Sequence, residues 1–253
     1  MNARPGIEVA GLTDIGRQRE NNEDSYLYWE PASDEEFERK GRLAIVADGM
    51  GGYEGGLEAS RLAVQTVLEV YEQAFGDIPQ AALLRAFSAA HERIQNYAER
   101  HPQFYGMGTT CTAFVLRGRQ VYFAHIGDSR LYLVRATGIS QLTRDHSYVG
   151  RLVASGIVRS EDAETHPQRH ILTAALGVGQ GSAADSGGPE LNLENGDALV
   201  LCTDGLWSLV SEQELETVIK GNRPSESCAA LVSMALERGG PDNITVQVLR
   251  LES

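Results

Sequence analysis

Four aspartates of this sequence, Asp48, Asp128, Asp204 and Asp242, share one kind of setting: each follows an apolar run or stands in a glycine-bearing turn. Their contexts are Val46-Ala47-Asp48-Gly49-Met50-Gly51-Gly52, Ile126-Gly127-Asp128-Ser129-Arg130, Cys202-Thr203-Asp204-Gly205-Leu206-Trp207 and Gly240-Pro241-Asp242-Asn243-Ile244. A carboxylate leaving a strand end projects from the rim of a core while its backbone stays rigid, and a neighbouring glycine lets the chain turn and a carbonyl approach a ligand. Several such carboxylates brought together repel one another unless cations lie between them. Hard divalent ions such as Mg²⁺ and Mn²⁺ take all-oxygen ligands of this kind. One Asp-Gly pair is an ordinary turn; the recurrence of the pattern along the whole chain points to a shared cation site. The segment Thr13 to Asp24 adds Arg17 and Arg19 beside Glu23 and Asp24. A solvated charged loop is the plain reading of this segment. The chemical reading is an arginine that grips phosphate with two parallel hydrogen bonds.

The elements that must position these residues are legible from patterning. Leu43 to Ala47 is a short apolar run, read as a strand buried on both faces and ending at Asp48-Gly49. Val121 to Ile126 and Leu131 to Val134 flank Gly127 to Arg130 and predict a tight hairpin. Ala198 to Thr203 is another apolar strand, and Ile244 to Val248 alternates as a half-buried strand does. Apolar residues recur at three- and four-residue steps in Glu58 to Tyr71 and Gln80 to Arg100, which predicts two long helices. Two shorter helices, Ser211 to Lys220 and Ser225 to Arg238, are expected with Ser211 and Ser225 as N-caps. The polar stretch Pro31 to Arg42 and the Gly- and Ser-rich stretch Gly177 to Pro189 read as exposed loops. Hairpins without strict alternation of strand and helix argue for antiparallel sheets with helices outside.

At 253 residues, 42 % hydrophobic and 23 % charged, the chain can bury a full core without staples. A net charge of −13 repels nucleic-acid phosphates and anionic lipid, so neither is expected as a partner. The three cysteines, Cys111, Cys202 and Cys228, lie in apolar segments without paired spacing and read as buried thiols of a reducing compartment. No stretch is a signal peptide or a membrane span, which predicts a soluble, cytoplasmic protein.

Taken in order, Arg19 through Asn22-Glu23-Asp24, Asp48-Gly49-Met50-Gly51-Gly52, Gly108-Thr109-Thr110, Gly127-Asp128-Ser129-Arg130, Asp204-Gly205-Leu206 and Asp242-Asn243-Ile244-Thr245 resemble the metal-dependent protein phosphatase family (PPM, the type 2C serine/threonine phosphatases), and its bacterial members in particular. Each motif alone is weak; six in family order from about Ile7 to Leu251 are specific.

The resemblance implies an α+β fold, a four-layer α-β-β-α sandwich with two central antiparallel β-sheets flanked by helices. It implies one PPM-type catalytic domain over residues 1–253, with a flap subdomain at about 146–172. It further implies hydrolysis of phosphoserine and phosphothreonine by direct attack of a water bridging two divalent metals, Mn²⁺ or Mg²⁺, with a third, weaker ion. Asp48 would bridge the two metals, the Gly49 carbonyl would bind one, and Asp204 and Asp242 would complete the first. Glu23 and Asp24 would lie close by, partly through water, and Asp128 with Asp204 would hold the third ion. Arg19 matches the phosphate-binding arginine. The expected partners are phosphorylated proteins, among them a serine/threonine kinase and its targets, acted on by a monomer. Tyr53 departs from the pattern, since bacterial relatives commonly carry His after the paired glycines. That leaves the general acid open among Tyr53, His146, His166, His170 and water. Two rivals are a binding module that has lost catalysis and a phosphatase of small esters or phosphorylated anti-sigma-type regulators. The presence of Asp48, Asp204 and Asp242 weighs against the first.

Overall fold

The chain opens with β1 (Ile7–Asp14) and β2 (Asp24–Trp29), then α1 (Asp34–Lys40), β3 (Arg42–Met50) and two long helices, α2 (Gly55–Gln73) and α3 (Pro79–Arg100). A short β4 (Gly108–Thr109) leads into β5 (Cys111–Arg117), β6 (Gln120–Ile126), β7 (Arg130–Arg135) and β8 (Gly138–Gln141). After α4 (Tyr148–Ala154) and β9 (Asp185–Gly187) come β10 (Ala198–Cys202), α5 (Asp204–Trp207), α6 (Glu212–Gly221), α7 (Pro224–Glu237) and β11 (Ile244–Leu251). This computed structural model describes residues 3–51, 55–76, 78–159, 162, 166–179 and 184–252. Among them, no helix is long and apolar enough to cross a membrane.

The strands form two antiparallel sheets, ordered β1-β11-β10-β7-β8 and β2-β3-β5-β6-β9, with β4 on the end of β3. Side chains alternate between the faces of a strand, so each sheet has two apolar surfaces to bury. In β3, Leu43, Ile45 and Ala47 face α2 and α3, packing with Phe87 and Ile94. Ala44 and Val46 face the other way and meet Leu131, Leu201 and Leu249 across the space between the sheets. On the far side Val200, Val246 and Val248 pack against Ile219 and Leu231 of α6 and α7. Three apolar layers between four structural layers give the expected α-β-β-α sandwich.

The sequence-based expectations fail in six places. β6 and β7 are not a hairpin: β6 belongs to one sheet and β7 pairs with β10 in the other, so Gly127 to Ser129 is a crossing between sheets. A sequence window shows two strands and a turn, but not which strand each will pair with. β3 does not end before Asp48; it runs to Met50 because β4 extends its ladder. The loop expected at Pro31 to Arg42 contains α1, capped by the Ser33 side chain, and the one at Gly177 to Pro189 contains β9. α7 starts one residue after Arg223 rather than at Ser225, with Pro224 in its first turn, where a missing N–H is no loss. β11 is buried on both faces, so its Thr245 and Gln247 are interior polar residues. Ser211 does cap α6, in a reciprocal capping box with Glu214.

Candidate active site

The strand register sets the first pair of acidic residues. In the β2–β3 ladder Asp24 lies directly opposite Asp48, so both side chains leave the same face, where like charges repel. Asp24 is buried and Asp48 half-buried. Burial, with the charge of Asp204 and Asp242 added, pushes the Asp24 carboxyl up to about 7, against the hydroxyls of Thr245 and Thr203 that donate to it. Burial also holds Asp48 well above the usual carboxylate range, reinforced by Asp24, Asp204, Asp128 and Asp242. Gly49 follows because no side chain fits: a Cβ there would stand 2.0 Å from the Gly56 carbonyl oxygen and 2.8 Å from that of Glu23.

Asp128 occupies the crossing between the sheets, and Asp204 opens α5 directly after β10. Gly127 has φ +109°, which a side chain would strain, and a Cβ there would stand 2.5 Å from Thr110 Cβ. Asp128 is buried, and burial, then Asp204 and Asp145, raise its carboxyl well above the ordinary value. Asp242 sits in the turn before β11, its Oδ1 accepting from the Asn243 N–H at 2.9 Å.

These segments meet in a cleft of about 760 Å³, lined by Arg19, Glu23, Asp48, Gly49, Asp128, Asp204 and Asp242 among others. Asp24 lies beneath its floor. Arg19 is at the rim, its Nη2 donating to Asp242 Oδ2 at 2.8 Å while half its side chain remains exposed. Arg17 is committed elsewhere, its Nε donating to the Leu236 carbonyl at 2.9 Å.

The carboxylate set fits hard divalent cations by charge and by donor chemistry. Oδ1 of Asp24 and Oδ1 of Asp204 are both buried without a hydrogen-bond partner, which an oxygen-seeking ion would supply. The fit is one of charge and orphaned oxygens, not of a preformed cage: among the described residues no three His, Cys, Asp or Glu side chains are arranged to hold an ion as they stand.

Of the histidines considered as acids, only His170 borders the cleft, its Nδ1 3.7 Å from Asp204 Oδ2. His146 is structural: its Nδ1 accepts from the Gly127 N–H at 3.3 Å and its Nε2 lies 3.1 Å from Asp185. His166 accepts from the Gln168 N–H in a local turn. Tyr53 lies outside the described residues. The cysteines are all buried, and burial pushes the Cys202 and Cys228 thiols up to about 12, so none is a ready nucleophile. The segment expected as a flap is tied at its base: the Tyr148 N–H donates to the Ile171 carbonyl and the Thr173 N–H to that of His146, each at 2.7 Å.

Residues 17–234 match the Protein phosphatase 2C family. The chain belongs to that family. It is 36 % identical over 239 residues to the serine/threonine phosphatase Stp of Listeria monocytogenes serovar 1/2a, covering 92 % of each chain. The crystal structure of the Mycobacterium tuberculosis serine/threonine phosphatase PstP/Ppp superposes with a TM-score of 0.86 at 35 % identity, over 98 % of this chain and 99 % of that one. The catalytic domain of PstP in complex with two manganese ions superposes at 0.82 with 33 % identity, over 98 % and 99 %.

The structure also shows supporting contacts that the sequence reading missed, several of them made by residues inside the family's motifs. Asn243 donates from Nδ2 to the carbonyls of Ile15 (2.9 Å) and Asn21 (3.0 Å) and accepts from the Glu23 N–H (2.8 Å), pinning the Arg19 loop to the Asp242 turn. Thr203 and Thr245 both donate to Asp24 Oδ2, at 2.8 and 2.6 Å. Thr110 accepts from the Asp48 N–H at 2.9 Å and bonds Ser129 Oγ at 2.8 Å, joining the two sheets beneath the floor. Glu23 is drawn to the start of α2, its carboxylate lying against Gly56, where an added Cβ would stand 2.8 Å from its Oε2. The one available signal was the position of Asn243, Thr245 and Thr110 inside the motifs already singled out.

Proposed function

We propose that this protein hydrolyses phosphoserine and phosphothreonine in proteins by a single displacement with water, using divalent cations held by Asp48, Gly49, Asp204 and Asp242, with a weaker third ion at Asp128 and Asp204. The observation that carries this reading is the convergence of carboxylates from separate segments on one cleft floor beneath a half-exposed arginine. When bound, the ions supply a water activated for in-line attack and neutralise charge on the phosphoryl oxygens. Arg19 has N–H donors beyond the one given to Asp242, and a guanidinium fork fits two non-bridging phosphoryl oxygens at once. Asp242 orients that fork. Glu23 fixes the end of α2 against Gly49, keeping the floor rigid. The leaving alkoxide takes its proton from water or from His170, the histidine at the cleft. With no exposed thiol at the site, the reading needs no covalent phosphoenzyme.

We read the natural substrates as phosphorylated proteins, a serine/threonine kinase and its targets among them, met in the cytoplasm by a monomer. A phosphopeptide assay with Mn²⁺, Mg²⁺ and EDTA tests the core of this. Turnover is expected with either metal and none with EDTA; full turnover in metal-free buffer would sink it.

A further inference from the structure

Asp128 and Asp204 sit just past the end of a ladder. The last β7–β10 pair is Arg130 opposite Cys202; continuing that register by two residues sets Asp128 opposite Asp204. Beyond the last pair no ladder hydrogen bond fixes their separation, and the two carboxylates repel. A different connection spans the gap. Trp207, at the end of the helical turn that Asp204 opens, donates from Nε1 to the Asp128 carbonyl at 2.9 Å. The Arg130 guanidinium lies 3.7 Å over the Trp207 ring. Asp145 grips that guanidinium through both oxygens at 2.8–3.2 Å, and Nη1 donates to the Tyr132 hydroxyl at 2.9 Å.

We propose that Arg130 and Trp207 form a clamp of positioning residues that sets the separation of Asp128 and Asp204, and through it the affinity of the third cation. The clamp rests on the assignment of that cation to these two carboxylates. Neither clamp residue lines the cleft. Trp207 ties the backbone of the two turns; Arg130 keeps the indole flat against it, and its planar fork does so in a way a lysine cannot. Supporting residues of this sort commonly change metal affinity by about 10- to 100-fold.

The test is Mn²⁺ titration of the full chain by calorimetry, for wild type, R130K, W207F, the double variant and D128A, with thermal melts in EDTA alongside. R130K and W207F are each expected to keep two tight ions and to weaken the third by about tenfold or more. The double variant should be no worse than the poorer single one, since the residues act as one unit. In a Trp29→Phe background, fluorescence of Trp207 should respond to Mn²⁺ only in the concentration range of the weak ion. A merely structural role would instead lower the melting temperature and weaken all ions alike, and that result overturns the proposal. If D128A loses the third ion while R130K and W207F keep it unchanged, the clamp fails and the third site stands. If wild type and D128A bind the same number of ions, the third site fails and takes the clamp with it.

Discussion

Asp24 and Asp48 face each other inside a β-ladder; Asp128 and Asp204 lie just beyond the end of one, on the two turns that leave it. The chemistry of the two pairs is the same and the means of holding them is not. The first pair cannot separate without unpairing β2 from β3, so its repulsion is part of the folded backbone. The second pair hangs on two turns joined by side chains, and those can give way. A site fixed by backbone is suited to ions that stay, and one fixed by side chains to an ion that exchanges. On the proposed reading Asp48 serves only the tightly held cations, whereas Asp204 is shared with a weaker one at Asp128, the carboxylate held by side chains alone.

The largest expected effect lies in the ladder pair. Asp48→Asn removes a charge where the reading needs it most, and kcat should fall about a hundredfold or more with the fold intact by circular dichroism. On the other side, Asp128→Ala should lower turnover less and leave two ions tightly bound. Equal losses from the two variants would erase the distinction between the pairs.

Acid should tell the two regions apart as well. His125 is buried below the crossing that carries Asp128, its Nδ1 2.8 Å from the Thr112 hydroxyl and its Nε2 3.1 Å from the Arg144 carbonyl. Burial, then the neighbouring His146, push its pKa down from 6.5 to about 4. Above about 6.5 the imidazole is neutral in both folded and unfolded chains and adds no pH dependence. As pH falls from there, the unfolded chain takes up a proton that the folded one refuses, so stability drops until about pH 4. The full loss is about 3 kcal/mol. Asp24, Asp48 and Asp128, whose folded carboxyls are raised, act in the opposite sense over the same range, so the His125 contribution is read as the difference between urea melts of wild type and His125→Gln from pH 7 to 4. Hydrogen exchange should open the Asp128 crossing before the β2–β3 ladder. An unchanged slope in His125→Gln would remove His125 as its source.

At the rim, Arg19→Ala should lower kcat/KM by about ten- to a hundredfold through loss of a charge-assisted contact to phosphate. Arg17→Ala should do much less, because its guanidinium is bound to the Leu236 carbonyl at the end of α7. Equal effects would mean that positive charge at the rim matters and a specific contact does not.

Much of this was legible in the sequence, and the limits have a pattern. The acidic motifs, the long helices and the placing of helices outside antiparallel sheets follow from local features: apolar periodicity, strand-end aspartates and glycines; the four-layer arrangement was implied by the family resemblance. Gly49 could be flagged as a close approach, but nothing nearby in sequence names Gly56 as the backbone it meets. The crossing at Gly127 was misread as a hairpin because both have short strands around a tight turn; the difference lies in β10, some 70 residues on, which claims β7. Asn243, Thr203 and Thr245 were missed for the same reason. Their partners, Ile15, Asn21 and Asp24, are about 180–230 residues away, so their roles are set by contacts no local pattern records.

The smallest expected effect concerns Tyr53, where the sequence leaves the bacterial pattern and which lies outside the described residues. If the histidine usual at that position were the essential proton donor, this protein should barely act on substrates with poor leaving groups. We expect activity on phosphoserine and phosphothreonine peptides instead. On the proposed reading the carboxylate-held cations and Arg19 supply the charge stabilisation, commonly the largest catalytic contribution. General-acid assistance adds about 10²–10⁴-fold and can be relayed through water, and a tyrosine with an ordinary pKa near 10 is a poor acid at neutral pH. Tyr53→Phe should therefore change kcat by less than about tenfold. His170→Gln, measured beside it on a peptide and on an activated aryl phosphate, separates the candidates. An aryl leaving group needs little protonation, so a true acid shows its loss on the peptide alone. A peptide-only loss in Tyr53→Phe would assign the acid to Tyr53 and overturn this expectation. The same pattern in His170→Gln would assign it to the flap histidine beside Asp204, and no loss in either would leave water as the proton source. If Tyr53→His created peptide activity that the native chain lacks, the cations of both pairs would be serving a binding module, and the contrast between them would describe affinity without turnover.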